Sequence, residues 1–390
     1  MRIAMVGPFG LAPKQTMAAR ALPMARALVR RGHVVTILLP PWSNPAASGL
    51  CFADAGVAVV NLTLPPSIPV IFQLALTLGL LRHLMALRPD VVHCFKPKAY
   101  SGLVAWCLWW LIRMRLVRAR LVIDSDDWEG AGGWNTLEAY ARPLKWLFAR
   151  QEQWGLTHAH AVTVSSRALQ TLVWALGMDR GAVVYVPNGA PTTCAAGSAA
   201  QPNKHIGATL LLYTRFFEFD LERIARLLVL LGAQHPSLRF TILGQGLFGE
   251  EKKFASLLAG TASADRTQWL GWLPAAALPA VFADATLAVF PFEDTLLNRT
   301  KCSIKLADLL CAGVPVVAEA VGQNAEYIVN GESGLLVCSG DEQAMLAAVA
   351  CLLDDAALRR TLAAGAQRRM REQFDWDVLV SSVERAYAYH

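Results

Sequence analysis

The most restrictive feature of this 390-residue chain is a rhythm: short apolar runs separated by stretches long enough to hold a helix. It begins at once, with RIAMVG at residues 2–7, a helical pattern from Met17 to Arg31 closed by Gly32, and then HVVTILLP. Strands buried on both faces read as continuous hydrophobic runs, and parallel neighbours need a crossover of about a dozen residues. More such runs follow: VAVVNLTL (57–64), VVHCF (91–95), LVIDS (121–125), AVTVSS (161–166) and AVVYVPN (182–188). This spacing predicts a parallel α/β sheet of Rossmann type.

Between 190 and 208 the sequence turns small and polar, APTTCAAGSAAQPNKHIGA, which predicts an interdomain linker. The rhythm then restarts with TLLLYTR (209–215), RFTILG (239–244), TQWLGW (267–272), ATLAVFPF (285–292), PVVAEA (315–320) and GLLVC (334–338). Helices are expected near 220–232, 275–283 and 301–312, and from 341 to 388. Since single cores stop growing beyond roughly 250–300 residues, two tandem domains are expected. Their predicted bounds are 1–198 and 199–374, with a C-terminal helix at 375–390 packing back toward the first.

Charge is divided unevenly. Residues 1–200 carry 19 Lys and Arg against 9 Asp and Glu, whereas the rest of the chain is net acidic. The first half is therefore the side expected to meet phosphates or acidic lipid. Zinc-finger spacing, RNP-like aromatics and long basic tracts are absent from the sequence, so nucleic acid is not an expected partner. The eight cysteines show neither a close metal pair nor a secreted disulfide framework, and a reducing compartment fits them.

Two stretches, 69–89 and 101–120, are rich in Leu, Trp and Phe, and each apolar run is shorter than a span requires. The second ends in Arg113, Arg115, Arg118 and Arg120. Two readings stand: core-facing helices, or helices lying at an anionic bilayer surface with Trp106, Trp109 and Trp110 in the interface. The N-terminus lacks the long apolar segment of a cleavable signal, so a cytoplasmic protein, peripheral at the inner membrane face, is the expected location.

Open parallel sheets bind ligands beyond the carboxyl ends of their strands. Gly10 follows the first strand, Asp126 and Asp127 follow LVID, and Asn188 follows YVP. Arg215 ends LLLYT, Gly244 follows RFTIL, and Gly322 and Glu326 follow PVVAEA. A charge directly after an apolar strand needs a partner: for Arg215 either a phosphate or a salt bridge to Glu218 or Asp220. Before PVVAEA lies DTLLNRTKCSIKLADLLCAG, in which Arg299, Lys301 and Lys305 would add to the positive field of a helix N-terminus. Asp308 is three residues beyond Lys305, so the two share a helix face either as a local ion pair or around a ligand. Lys96 and Lys98, after VVHCF, are either a phosphate contact or a solvated loop; His93 is either functional or a core histidine.

Taken in order, GPFG…ARALVRRGHVVTILLP, PDVVHCFKP, VTVSSRAL, VYVPNGA, the block KLADLLCAGVPVVAEAVGQNAEYIVNGESGLLV and the closing FDW resemble the retaining GT-B glycosyltransferases of family 4. The resemblance covers nearly the whole chain. It implies two Rossmann-like domains facing an interdomain cleft, a nucleotide-diphosphate sugar as donor substrate, a glycan or lipid-linked acceptor, and no bound cofactor or metal. It also implies that Arg215 meets the donor diphosphate, that Asp308 meets the ribose and that Glu326 meets the sugar. Gly10, Asn188, Gly244 and Gly322 would shape the donor crevice. Two positions depart from the family: Thr300 stands where the first of two glutamates is usual, and Asp220 where a lysine is. Lys301 or Lys305 would supply the missing cation, and Asp126 or Asp127, in DSDDWEG, would either hold acceptor hydroxyls or cap the next helix. Nucleotide-sugar epimerisation and noncatalytic sugar-nucleotide binding are the alternative activities.

Overall fold

The apolar runs are strands. The computed structural model describes residues 1–12, 16–68, 70–190 and 207–389, so the linker read over 190–208 falls almost wholly outside the described residues. The chain divides into two compact units. The first comprises Met1–Gly189, Thr300–Cys302 and the segment from Trp376 on; the second comprises the remainder.

The first unit is an eight-stranded sheet of β1 (Arg2–Val6), β2 (Val34–Leu39), β3 (Cys51–Asp54), β4 (Val57–Asn61), β5 (Val91–Phe95), β6 (Arg120–Ser125), β7 (Ala161–Val164) and β8 (Val183–Tyr185). Their order is β3-β4-β2-β1-β5-β6-β7-β8. All pairs are parallel except β3–β4, a hairpin turned by Ala55 and Gly56. Both turn residues have positive φ, 47° and 85°, which a two-residue type I′ turn demands. This edge strand was not anticipated, because CFAD is short and largely exposed.

A π-helical turn, Met17–Ala21, leads into α1 (Leu22–Arg30). The other crossovers of this sheet are α2 (Ile71–Leu87), α3 (Ala99–Arg113), α4 (Trp134–Leu137), α5 (Arg142–His158) and α6 (Arg167–Ala175). Along β1 the side chains alternate between two cores. Ile3 and Met5 join the cluster under α1; Ala4 and Val6 join the one under α2, α3, α5 and α6. Each fully buried Leu or Val there contributes about 1.5–3 kcal/mol from water exclusion.

The second unit runs β9 (Thr209–Tyr213), α7 (Leu221–Gln234), β10 (Arg239–Leu243), α8 (Glu250–Leu258), β11 (Thr267–Gly271), α9 (Leu278–Asp284) and β12 (Leu287–Phe290). It continues with α10 (Leu296–Thr300), α11 (Ile304–Ala312), β13 (Val316–Glu319), α12 (Asn324–Tyr327), β14 (Leu335–Val337), α13 (Glu342–Asp354) and α14 (Ala356–Gln373). Its six strands are all parallel, in the order β11-β10-β9-β12-β13-β14. The helix expected near 301–312 is α11; a short helix not read from the sequence, α10, precedes it, with Lys301, Cys302 and Ser303 between the two. The last helix, α15 (Trp376–Ala388), belongs to the first unit: Trp376, Leu379, Val380 and Val383 lie in the same core as α1.

Candidate functional site

In the second unit, polar groups gather where β9 ends. The Thr214 hydroxyl and the Arg215 backbone N–H both donate to Glu218 Oε2, at 3.1 and 3.0 Å. Its other oxygen accepts from Lys305 Nζ at 2.8 Å. Glu218 is 1% exposed, so a buried carboxylate ties the strand end to α11.

The salt bridge read for Arg215 does not form. Glu218 meets its backbone, and Asp220 instead caps α7 by accepting from the Arg223 N–H at 2.7 Å. Among the described residues the Arg215 guanidinium has no ion-pair partner; it lies 6.0 Å from the centre of the Trp272 ring. Its Nε is buried without a hydrogen-bond partner. A cation near a ring with a donor unmet can receive an oxyanion.

A second unmet group starts α11. Ser303 is its N-cap, yet the side chain makes no capping bond, and Oγ is buried without a partner. The first turn holds no acidic residue. Its backbone N–H groups and that hydroxyl form an anion-attracting end. The sequence reading missed Ser303; a serine directly before the apolar helical run IKLADLLCA was the available signal.

One helical turn beyond Lys305, burial pushes the Asp308 carboxyl up to about 7, although Lys305 pulls it down. The two are not paired with each other by hydrogen bond: Lys305 bonds Glu218. In the unfolded chain the carboxyl titrates near 3.8. Between that value and about 7 the folded protein keeps a proton that the unfolded chain has lost. Its contribution to stability is therefore present at low pH and is lost progressively as pH rises through this window. Asp308→Asn is expected to flatten that decline, read as urea midpoints of both proteins at pH 5 and pH 8.

The remaining second-unit candidates have mixed placements. Gly244 has φ 120°, and a Cβ there would fall 1.9 Å from the Thr214 carbonyl oxygen, so glycine is required by the backbone at the end of β9. Gly322 lies against the Arg299 carbonyl. Glu326 is on α12, its own carbonyl held by Arg369 Nη2 at 2.7 Å. Arg299 is exposed and paired with Asp294, a local ion pair and not part of a shared field. Glu319, unremarked in the sequence, is fully buried at the end of β13. It receives both Arg223 terminal nitrogens and the Phe292 and Gly340 N–H groups, fixing the loops after β12 and β14.

In the first unit, Arg20 lies inside the π-helical turn and is 1% exposed. It grips Asp124 with two bonds, 2.8 and 2.7 Å, and donates Nη1 to Asn188 Oδ1 at 3.1 Å. Asn188 donates in turn to the Cys302 carbonyl at 2.7 Å. Asn188 thus acts as a brace within this unit. His93 is a core histidine: it bridges the Tyr387 hydroxyl and Thr163 Oγ1, and burial lowers its pKa to about 4.

Lys96 and Lys98 are not available to a phosphate as read. Lys96 Nζ lies 2.8 Å from Asp127 and 3.2 Å from Asp126, and Lys98 lies 2.7 Å from Glu129. Asp126 is buried in this cluster, and burial together with Asp127 and Asp124 raises its pKa despite Lys96. Neither Asp126 nor Asp127 caps the next helix, whose N-cap is Gly133. Gly10 is buried after β1. Lys301 lies between α10 and α11 and groups with the first unit.

Residues 15–189 match the family described as glycosyl transferase 4-like domain, and residues 214–355 match glycosyl transferases group 1. The chain is 25% identical to a glycogen synthase of Mycobacterium tuberculosis over 77% of its own length and 69% of that protein's. It is also 25% identical to a phosphatidyl-myo-inositol mannosyltransferase of Mycobacterium leprae, over 99% of this chain and 96% of the relative. Among solved structures, the sucrose-phosphate synthase of Thermosynechococcus elongatus superposes with a TM-score of 0.73 at 19% identity, covering 99% and 98% of the two chains. That likeness concerns the fold.

Proposed function

This chain belongs to the family 4, group 1 glycosyltransferases of GT-B fold, and from that premise we propose that it transfers a sugar from a nucleotide-diphosphate sugar to a glycan or lipid-linked acceptor with retention of anomeric configuration. The donor is assigned to the second unit and the acceptor to the first. The carrying observation is the pair of unmet donors in the second unit, Arg215 Nε and Ser303 Oγ, the latter at the start of α11.

As the bond from the anomeric carbon to the diphosphate breaks, its electron pair passes to phosphate and the sugar gains oxocarbenium character. Arg215, Ser303 and the first-turn N–H groups stabilise that growing negative charge, as preorganised donors do. The acceptor hydroxyl bonds to the anomeric carbon from the same face, and its proton leaves on a phosphate oxygen. Charge is thus met by side chains and amides with no metal ion assigned. Asp308 is assigned to ribose hydroxyls and Glu326 to the sugar. Lys305, held by Glu218 near Tyr213, supplies the second cation where Asp220 has taken up helix capping.

A relative named as a phosphatidyl-myo-inositol mannosyltransferase supports the lipid-linked choice of acceptor. The reaction is placed in the cytoplasm, at the inner face of a membrane. Incubation with UDP-, GDP- and ADP-sugars and an acceptor panel, with product configuration read by NMR, tests the proposal. An α-linked donor should give an α-linked product. Inversion, interconversion of the sugar nucleotide alone, or binding without turnover would each overturn it.

A further inference from the structure

We propose that the outer face of the α2–α3–α5 layer is a docking surface for an anionic lipid bilayer. The inner faces of these helices are spent on the core: Leu76, Leu80 and Leu84 of α2, Val104 and Leu108 of α3, and Leu156 of α5. Each helix nevertheless carries large apolar side chains on its exposed side. Leu74 and Leu78 lie four apart on α2, Trp106 and Trp110 four apart on α3, and Trp146 and Leu147 are adjacent on α5. Leu74 is 63% exposed, Trp106 51% and Trp146 67%. The helices are direct neighbours, since Phe72 meets Tyr100 edge-on at 6.4 Å and Trp109 meets Trp154 at 5.7 Å. The exposed groups therefore share one helical layer rather than lying singly on separate elements.

Charge selects the occupant. These three helices contain one carboxylate, Glu152, and it is fully buried, accepting from the Glu129 and Gly130 N–H groups. Their exposed charges are all positive: Arg82 on α2, Arg113 on α3, and Arg142 and Arg150 on α5. Arg115 and Arg118 extend the row just past α3, both exposed. A second copy of this chain would bring like charges together. A negatively charged membrane surface would not: tryptophans settle at its interface, and each basic residue near it adds about 1 kcal/mol. No helix among the described residues is long and apolar enough to cross a membrane, so the contact is with the bilayer surface. None of these residues belongs to the site built around Arg215, and the surface stands whatever sugar is transferred.

Co-sedimentation with vesicles of phosphatidylcholine alone, or with about one-third phosphatidylglycerol, tests the proposal. The protein should pellet with the anionic vesicles and not the neutral ones, and salt should release it. A Trp106→Ser/Trp110→Ser variant should bind roughly tenfold more weakly. An Arg113→Gln/Arg115→Gln/Arg118→Gln variant should lose the preference for anionic vesicles, with both variants keeping the wild-type unfolding midpoint. Failure to pellet, or equal binding to both vesicle types, would overturn it. So would a dimer in light scattering that the tryptophan variant abolishes, because the face would then belong to a second copy.

Discussion

An Arg215→Ala enzyme is expected to turn over donor roughly 100- to 1,000-fold more slowly, about 3–4 kcal/mol of lost transition-state stabilisation, while unfolding at close to the wild-type urea concentration. The separation follows from where the guanidinium's bonds go. Among the described residues it has no ion pair, and Glu218 is already satisfied by Thr214, the Arg215 backbone and Lys305. Removing the side chain therefore orphans no buried charge and costs mainly its contact with Trp272. Arg215→Lys should recover part of the rate, since an ammonium keeps the charge but not the planar fork. Steady-state kinetics and urea unfolding on the same preparations check this. Wild-type turnover in the alanine variant, or a stability loss that accounts for the lost activity, would remove Arg215 from the mechanism.

The largest stability effect should come from a fully buried arginine, Arg20. Asp124→Asn leaves the Arg20 guanidinium, 1% exposed, without its compensating charge and is expected to cost about 3–5 kcal/mol. Arg20→Met strands Asp124 similarly. The double variant should cost less than the two singles combined, because it removes both charges from the interior together. Urea denaturation of all four proteins measures this coupling; additive or sub-kilocalorie effects would count against it. The pH dependence has the opposite sense to that of Asp308. Arg20 holds the Asp124 carboxyl below its ordinary 3.8 against the opposing effect of burial. The pair's contribution is therefore intact at neutral pH and is withdrawn only as pH falls below that value.

The parallel strands were legible because both their faces are buried, so each announces itself as an unbroken apolar run. The β3 hairpin was not, since its turn uses Ala55-Gly56 in place of the asparagine-glycine that marks such turns. Helix α8 was passed over because its apolar face is sparse, with Phe254 and Leu258 its buried residues. In the site, local chemistry could be read: a cation after a strand and a helix start rich in polar groups. Pairings across the fold could not. Lys305 and Glu218 lie 87 residues apart, and Arg20 and Asp124 lie 104 apart. Lys96 and Lys98 looked free for the same reason, since each finds its carboxylate 31 residues on. Periodicity reports which face is buried, and it is silent on which distant charge will be met there.

The placement of α15 carries a consequence for how the protein is made. Its Trp376, Val380 and Val383 complete a hydrophobic layer that includes Ile3, Met5 and Leu28, which leave the ribosome well before them. The first unit therefore waits, through synthesis of the second, with part of one side of its sheet unsealed. That interval is when such a sheet is most prone to self-adhesion. The thirteen residues of α15 thus act as a late-arriving closure, and the first unit matures only after the second has been made.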